Sequence, residues 1–196
     1  MVEHFKLILD NVCRYIALTE EEKNTFTGLL HHRELKRKEF LLEDGMICKH
    51  SAFVVSGCLM GYTVDSEGIE HVTAFAPPDW WIADMYSLIS QKPGITNIIA
   101  QDATEVLLLS RADQETLFKQ VPKFERFFRI LTEKSLVANQ QRLIDNLSLS
   151  AVDRYKNFSA RYPTLVNHLP QKQIAAYIGV TPEFFSKMRK TIVDSP

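Results

Sequence analysis

Leu169-Pro-Gln-Lys-Gln-Ile-Ala-Ala-Tyr-Ile-Gly-Val-Thr-Pro-Glu-Phe-Phe-Ser-Lys-Met-Arg-Lys190 decides how the rest of this chain is read. It fits two short helices around a tight turn. Ile174 and Ile178 are four apart and share one helix face. Ala175 lies beside them and is small enough to let a second helix cross closely. Gly179 follows, and glycine takes the positive φ that ends a helix and reverses the chain. Thr181 is placed to cap the next helix and Pro182 to open it. Phe185, Met188 and Ile192 then recur at steps of three and four, giving the second helix its own apolar face.

The same spacing turns Pro182, Glu183, Ser186, Lys187 and Lys190 outward. A recognition helix lays its first residues and outer face in the DNA major groove. Lysines there meet phosphates or guanine edges, Glu183 can accept from a cytosine amino group, and Ser186 can meet a base or a phosphate. A generic helical hairpin with a solvated charged face is the plainer reading. The glycine at the corner and the small residue at the crossing favour a helix-turn-helix.

The wider composition suits a packed protein. At 196 residues, 45% hydrophobic and 24% charged, the chain has room for one large or two small domains. No apolar run approaches the roughly 20 residues of a membrane span. Met1-Val-Glu-His-Phe-Lys lacks the basic-then-apolar layout of a signal peptide, so cytoplasmic residence without a membrane is expected. Cys13, Cys48 and Cys58 are widely spaced and odd in number, which argues against a disulfide framework or an iron–sulfur site and for buried, unreactive thiols. The net charge of −1 is uneven: from Ser150 onward seven Lys and Arg face three acids (Asp153, Glu183, Asp194). A basic tail on an acidic body fits a DNA-reading end joined to something else.

Before that end the periodicity changes twice. Phe5, Leu9, Val12 and Ile16 recur at three and four, and Thr19 with Glu22 makes a capping box for a second helix. From Arg33 short β-prone runs take over: Leu35, Phe40–Leu42, Ala52–Val55, Leu59–Val64, His71–Phe75, Thr96–Ala100 and Glu105–Leu109. Turn signals at Glu43-Asp-Gly, Ser56-Gly, Asp65-Ser-Glu-Gly and Pro77-Pro-Asp separate them. Such strands predict a β-roll or jelly roll. From Asp113 helical spacing returns, and Pro122 sets the start of a long helix over about 122–147, ~37 Å at 1.5 Å per residue. Phe124, Phe128, Leu131, Ser135 and Ala138 form a heptad-like seam on it, read here as the dimerisation face. Ser150 caps a further helix carrying Val152, Tyr155, Phe158 and Tyr162, ended by Pro163.

Helical lead-in, roll, long helix and helix-turn-helix, in this order, resemble the Crp/Fnr family of transcription regulators. The carriers are Glu43-Asp-Gly45, Phe53-Val-Val-Ser-Gly57, Gly68 and, most specifically, Gln171 to Arg189. Phe158-Ser-Ala-Arg-Tyr-Pro-Thr-Leu followed by Leu169-Pro-Gln-Lys resembles a branch of that family with short C-termini. The resemblance implies an α+β chain. Residues 1–147 would form a cyclic-nucleotide-binding-like sensor roll with its dimerisation helix. Residues 148–196 would form a helix-turn-helix, winged-helix-like with little or no wing. It implies a cytoplasmic homodimer on near-palindromic double-stranded DNA, with half-sites about 34 Å apart, and RNA polymerase as a further partner. DNA contacts would fall to Gln171, Lys172, Thr181, Pro182, Glu183, Ser186, Lys187 and Lys190.

The resemblance weakens at the effector site. Cyclic-AMP-binding members carry a Gly-Glu-Leu turn and then Arg-Ser or Arg-Thr, because a cyclic phosphodiester needs a cation and converging donors. Here the matching positions are Ala83-Asp84-Met85 and Lys92-Pro-Gly-Ile-Thr96-Asn97-Ile, and no Arg occurs between Arg37 and Arg111. Cyclic AMP is therefore not expected, and a different small effector or none is. Trp81, Ala83, Asp84, Met85, Thr96 and Asn97 would line the pocket, although packing is the safer reading for the adjacent indoles of Trp80 and Trp81 at a strand end. No nucleophile–base arrangement, phosphate loop or metal motif is recognisable, so neither catalysis nor a metal is expected. The competing reading is a ligand-sensing or protein-interaction module of the same fold that no longer reads DNA.

Overall fold

The structure, a computed structural model, describes residues 5–193, without the side chains of Ile192 and Val193. Met1–His4, the expected place of the Ile192 side chain, and Asp194 lie outside the described residues. The chain divides into two compact units, Met1–Thr63 with Ala74–Glu133, and Val64–Thr73 with Lys134–Pro196. The division therefore falls inside the long helix rather than near residue 147.

The first unit opens with α1 (Lys6–Cys13) and α2 (Glu20–Gly28). The expected capping box is present: Thr19 Oγ1 accepts from Glu22 N, and Glu22 Oε2 accepts from Thr19 N at 2.7 Å. Eight strands follow: β1 (His31–Leu35), β2 (Phe40–Leu42), β3 (His50–Ser56), β4 (Leu59–Val64), β5 (Glu70–Ala76), β6 (Trp81–Ile82), β7 (Asn97–Ala100) and β8 (Thr104–Ser110). They form two four-stranded sheets, ordered β1-β8-β3-β6 and β2-β7-β4-β5. The short α3 (Met85–Ser90) is inserted after β6, and α4 (Arg111–Gln120) and α5 (Lys123–Ser148) follow β8.

Alternation along β3 and β8 explains why both read as nearly continuous apolar runs. Successive side chains of a strand point to opposite faces. Ala52, Val54, Val106 and Leu108 join the core between the sheets, with Leu35, Leu59 and Ile98. Phe53, Leu107 and Leu109 join a second core under the helices, with Ile8, Val12, Phe26, Phe124 and Phe127. A strand buried on both faces cannot alternate apolar with polar.

The seam expected on α5 is corrected here. Phe124 is fully buried, its ring 4.6 Å from that of Phe26. Phe128 packs edge-on against Phe118, Trp81 and Phe127, and Leu131 lies against the same core. The heptad spacing is real, but this stretch of it leans on the helix's own roll: Phe124 is sealed in that core, and Phe128 and Leu131 are half-buried against it. Ser135 is exposed and Ala138 half-buried.

The second unit contains the β4–β5 turn, the rest of α5, and α6 (Ala151–Arg161), α7 (Gln171–Ile178) and α8 (Pro182–Val193). Ser150 caps α6, its Oγ accepting from Asp153 N at 3.2 Å. Aromatic rings build much of the core: Phe158 lies 5.1 Å from Tyr177 and 5.3 Å from Tyr162, and Tyr155 lies 5.2 Å from Phe185. Val152 and Tyr155 are only half-buried.

The cysteines divide unequally, which corrects the expectation that all are buried. Cys48 and Cys58 are buried, but Cys13 is exposed at the end of α1. Burial pushes the Cys58 thiol up to about 12 and the Cys48 thiol upward as well. Since the thiolate is the nucleophile, a thiol-reactive reagent near neutral pH should modify one cysteine of the native protein quickly and all three only after denaturation. Fast release from three sites would show that Cys48 and Cys58 are not enclosed.

Candidate nucleic-acid interface

Gly179 closes the corner between α7 and α8 in the left-handed region, at φ 72°, and its N–H donates to Ala175 O. A Cβ built there meets nothing within 4 Å. The requirement for glycine is therefore backbone strain alone. Thr181 Oγ1 accepts from Phe184 N at 3.2 Å, and Thr181 O accepts from Phe185 N at 3.0 Å. The cap thus fixes the first turn of α8. Ile174, Ala175, Ile178, Phe185 and Met188 are buried as expected, and Tyr177 joins them.

The expected DNA-facing residues lie on the outside of this pair. Gln171, Lys172, Thr181, Pro182, Glu183, Lys187 and Lys190 are exposed or half-buried, and Ser186 is exposed or half-buried with them. Lys172 Nζ stands 4.0 Å from Glu70 Oε2 at the β4–β5 turn, an exposed and weak pair. Thr181 accepts in the cap through its hydroxyl oxygen, which helps to shape the turn. Among the described ion pairs, none engages Lys187 or Lys190.

Two arginines that the sequence did not single out hold this pair from behind. Arg154 Nε donates to Ile178 O at 2.8 Å and its Nη1 to Leu149 O at 3.0 Å, satisfying carbonyls at the C-termini of α7 and α5. Cations are favourable at helix C-termini. Arg142 Nη2 donates to Val72 O at 2.5 Å and to Tyr177 O at 3.1 Å, and its Nη1 donates to Thr73 O. Its guanidinium lies 4.2 Å from the centre of the Tyr177 ring. Burial lowers the Arg142 pKa and raises that of the Tyr177 phenol. A cleft of about 490 Å³ opens beside them, lined by Ala138, Gln141, Asp145, Asn157 and Phe158 among others. Neither arginine had a sequence signal, because their partners are backbone carbonyls distant in the chain.

Phe184 was also missed, and it is 53% exposed.

Several of the expected effector-pocket residues make hydrogen bonds or packing contacts within the chain. Asp84 is buried and caps α3, its Oδ1 accepting from Ser87 N at 3.0 Å. Its other oxygen, Oδ2, lies 2.1 Å from where a Cβ on Gly94 would stand. Ser87 Oγ accepts from Cys48 N at 2.8 Å and donates to Lys92 O at 2.6 Å. Asn97 Oδ1 accepts from Asp44 N at 3.0 Å, tying down the Glu43-Asp44-Gly45 turn. Trp81 belongs to the aromatic core, 5.3 Å from Phe53, which removes it from the pocket lining. Ala83 packs on the inter-sheet core, Thr96 is half-buried and Met85 is exposed.

Comparison with known proteins fits this geometry. Residues 32–121 match the cyclic nucleotide-binding domain family. FixK2 from Bradyrhizobium japonicum superposes with a TM-score of 0.72 at 18% identity, over 83% of this chain and 84% of that one. The c-di-GMP-responsive global regulator CLP of Xanthomonas campestris gives 0.71 at 14%, over 89% and 91%. A putative Crp/Fnr-family transcriptional regulator from Eubacterium rectale gives 0.71 at 16%, over 97% and 88%. No curated protein matches the chain. Residues 32–121 thus resemble a cyclic nucleotide-binding domain, and the chain has the fold of these Crp/Fnr-type structures.

The contact between Asp84 and Gly94 is directly testable. Gly94→Ala should destabilise the protein by about 1–3 kcal/mol through overpacking. Most of that cost should vanish in the Asp84→Ala background, where the added methyl has room. Denaturant unfolding of the four proteins of the cycle measures this, and additive losses would show that the two positions do not touch.

Proposed function

We propose that this chain is a sequence-specific DNA-binding transcription regulator that works as a symmetric dimer. The observation that carries the reading is the Gly179 corner, which presents Pro182, Glu183, Lys187 and Lys190 together on the outer side of α8. Glu183 would set sequence preference by accepting from a base amino group. Lys187 and Lys190 would supply phosphate contacts, with Gln171 and Lys172 beside them on α7. Among the described residues no helix is long and apolar enough to cross a membrane.

Dimerisation is assigned to a different face of α5 from the one the sequence suggested. Leu136, Val137, Leu143, Ile144 and Leu147 are 66%, 66%, 59%, 47% and 79% exposed. At 100° per residue they fall within an arc of about 120°. Ala138, Arg142 and Asp145 lie on the other side and line the cleft beside α6 and α7. An exposed apolar stripe with spacings of four and seven is a coiled-coil seam awaiting a second strand. Leu143→Glu should convert a dimer to a monomer in analytical ultracentrifugation while leaving unfolding cooperative. Phe124→Ala should cost about 3–5 kcal/mol of stability as a core truncation. A monomeric parent, or a Leu143→Glu protein that stays dimeric, would refute the assignment.

The roll, in this reading, does not take a cyclic nucleotide. No Arg occurs between Arg37 and Arg111, and Asp84 places a carboxylate among the groups that would receive a phosphodiester. A like charge buried in the site disfavours an anion. Some other effector, or none, would bias the two states of the dimer, and only one that prefers a single state can shift them.

Selection of bound fragments from random duplex DNA tests the main claim, and a near-palindrome should be enriched. Replacing Lys187 and Lys190 by alanine should weaken binding to all sequences and reduce the log–log salt slope by about one for each phosphate no longer neutralised. Glu183→Ala should relax preference at one position of each half-site. Wild-type affinity in the double lysine variant would sink the reading, and absence of any enriched sequence would favour a module that senses or docks without reading DNA.

A further inference from the structure

We propose that Phe184 reads the 5-methyl group of a thymine in the major groove, next to the base met by Glu183; the proposal rests on the DNA-binding reading above. A single exposed hydrophobic residue is ordinary on a protein surface. What distinguishes Phe184 is its place. It is 53% exposed, while Phe185 beside it is fully buried and Met188 nearly so. Among the described residues of α8 it is the one large apolar side chain left outside. Its neighbours Thr181, Pro182 and Glu183 are all exposed, so the ring sits inside the polar surface offered to the groove.

The backbone at this point is fixed, which a reading residue needs. Phe184 is the third residue of α8, and its N–H is held by the Thr181 hydroxyl at 3.2 Å. The ring therefore projects from a capped, rigid first turn, the part of a recognition helix that enters the groove. A phenyl ring has no hydrogen-bonding group, so it cannot distinguish donor from acceptor patterns on base edges. It can distinguish thymine, whose methyl is the one apolar feature of the major-groove edge. Covering it removes apolar surface of both ring and methyl from water.

The test uses the duplex enriched by the parent protein, with each thymine replaced in turn by deoxyuridine, which lacks only that methyl. The parent should lose about four-fold in affinity at one thymine of each half-site, and about fifteen-fold when both are replaced. Phe184→Ala should bind the thymine and deoxyuridine duplexes equally. Its affinity for unrelated DNA and its salt slope should match the parent's. Phe184→Leu should keep part of the discrimination. Unchanged thermal unfolding of both variants would show that the helix pair is intact. A parent indifferent to deoxyuridine at every position, or a Phe184→Ala protein with undiminished discrimination, would overturn the proposal while leaving DNA binding standing. If the parent enriches no sequence at all, the DNA-binding reading has failed first and this proposal goes with it.

Discussion

Phe124 and Phe127 are fully buried beneath the N-terminal helices, and this contact fixes the rotation of α5 about its own axis. A helix has one orientation about that axis at a time. The phenyl rings at its N-terminal end are committed to the roll, and Leu131 follows them inward. In the second unit Ala138, Arg142 and Asp145 line the cleft beside α6 and α7, and Leu136, Leu143 and Leu147 are exposed. Burying a phenylalanine is worth about 1.5–3 kcal/mol, so the two rings anchor the start of the helix firmly in the first unit.

The C-terminal unit is stabilised in a different way. Its aromatic core is small, and much of its cohesion comes from two guanidinium groups placed on backbone carbonyls. Arg154 serves the ends of two helices, and Arg142 joins the start of β5 to the end of α7. Carbonyls at a helix C-terminus have no partner within the helix. A charged donor meets that need more strongly than a neutral one. A buried cation costs desolvation, and here the helix ends and the Tyr177 ring offset it.

The sequence was most legible where one local rule acts alone. The capping box at Thr19 and Glu22, the Ser150 cap and the left-handed Gly179 all stand where turn chemistry put them. The strands beginning at Phe40, Leu59 and Thr104 were readable because turn residues bound them. Periodicity located the seam on α5 but could not say which of two apolar faces meets the chain's own core, since spacing carries no information about neighbours. Trp81 packs, as two adjacent indoles at a strand end suggest, while Cys13, which ends its helix just beyond the buried Val12, fell on the wrong side for that reason. The strand β6 has only two residues and offers no period. Asp84 was read as part of a pocket because its distant partner, Gly94, leaves no trace in spacing.

That carboxylate has a consequence for what the roll can do. A receptor whose recess is filled by the medium changes with the medium. A recess filled by a side chain is set once, when the polypeptide folds, and stays as it is whatever metabolites rise or fall. At Asp84 the roll is of the second kind, because that carboxylate is held on Ser87 N inside the fold.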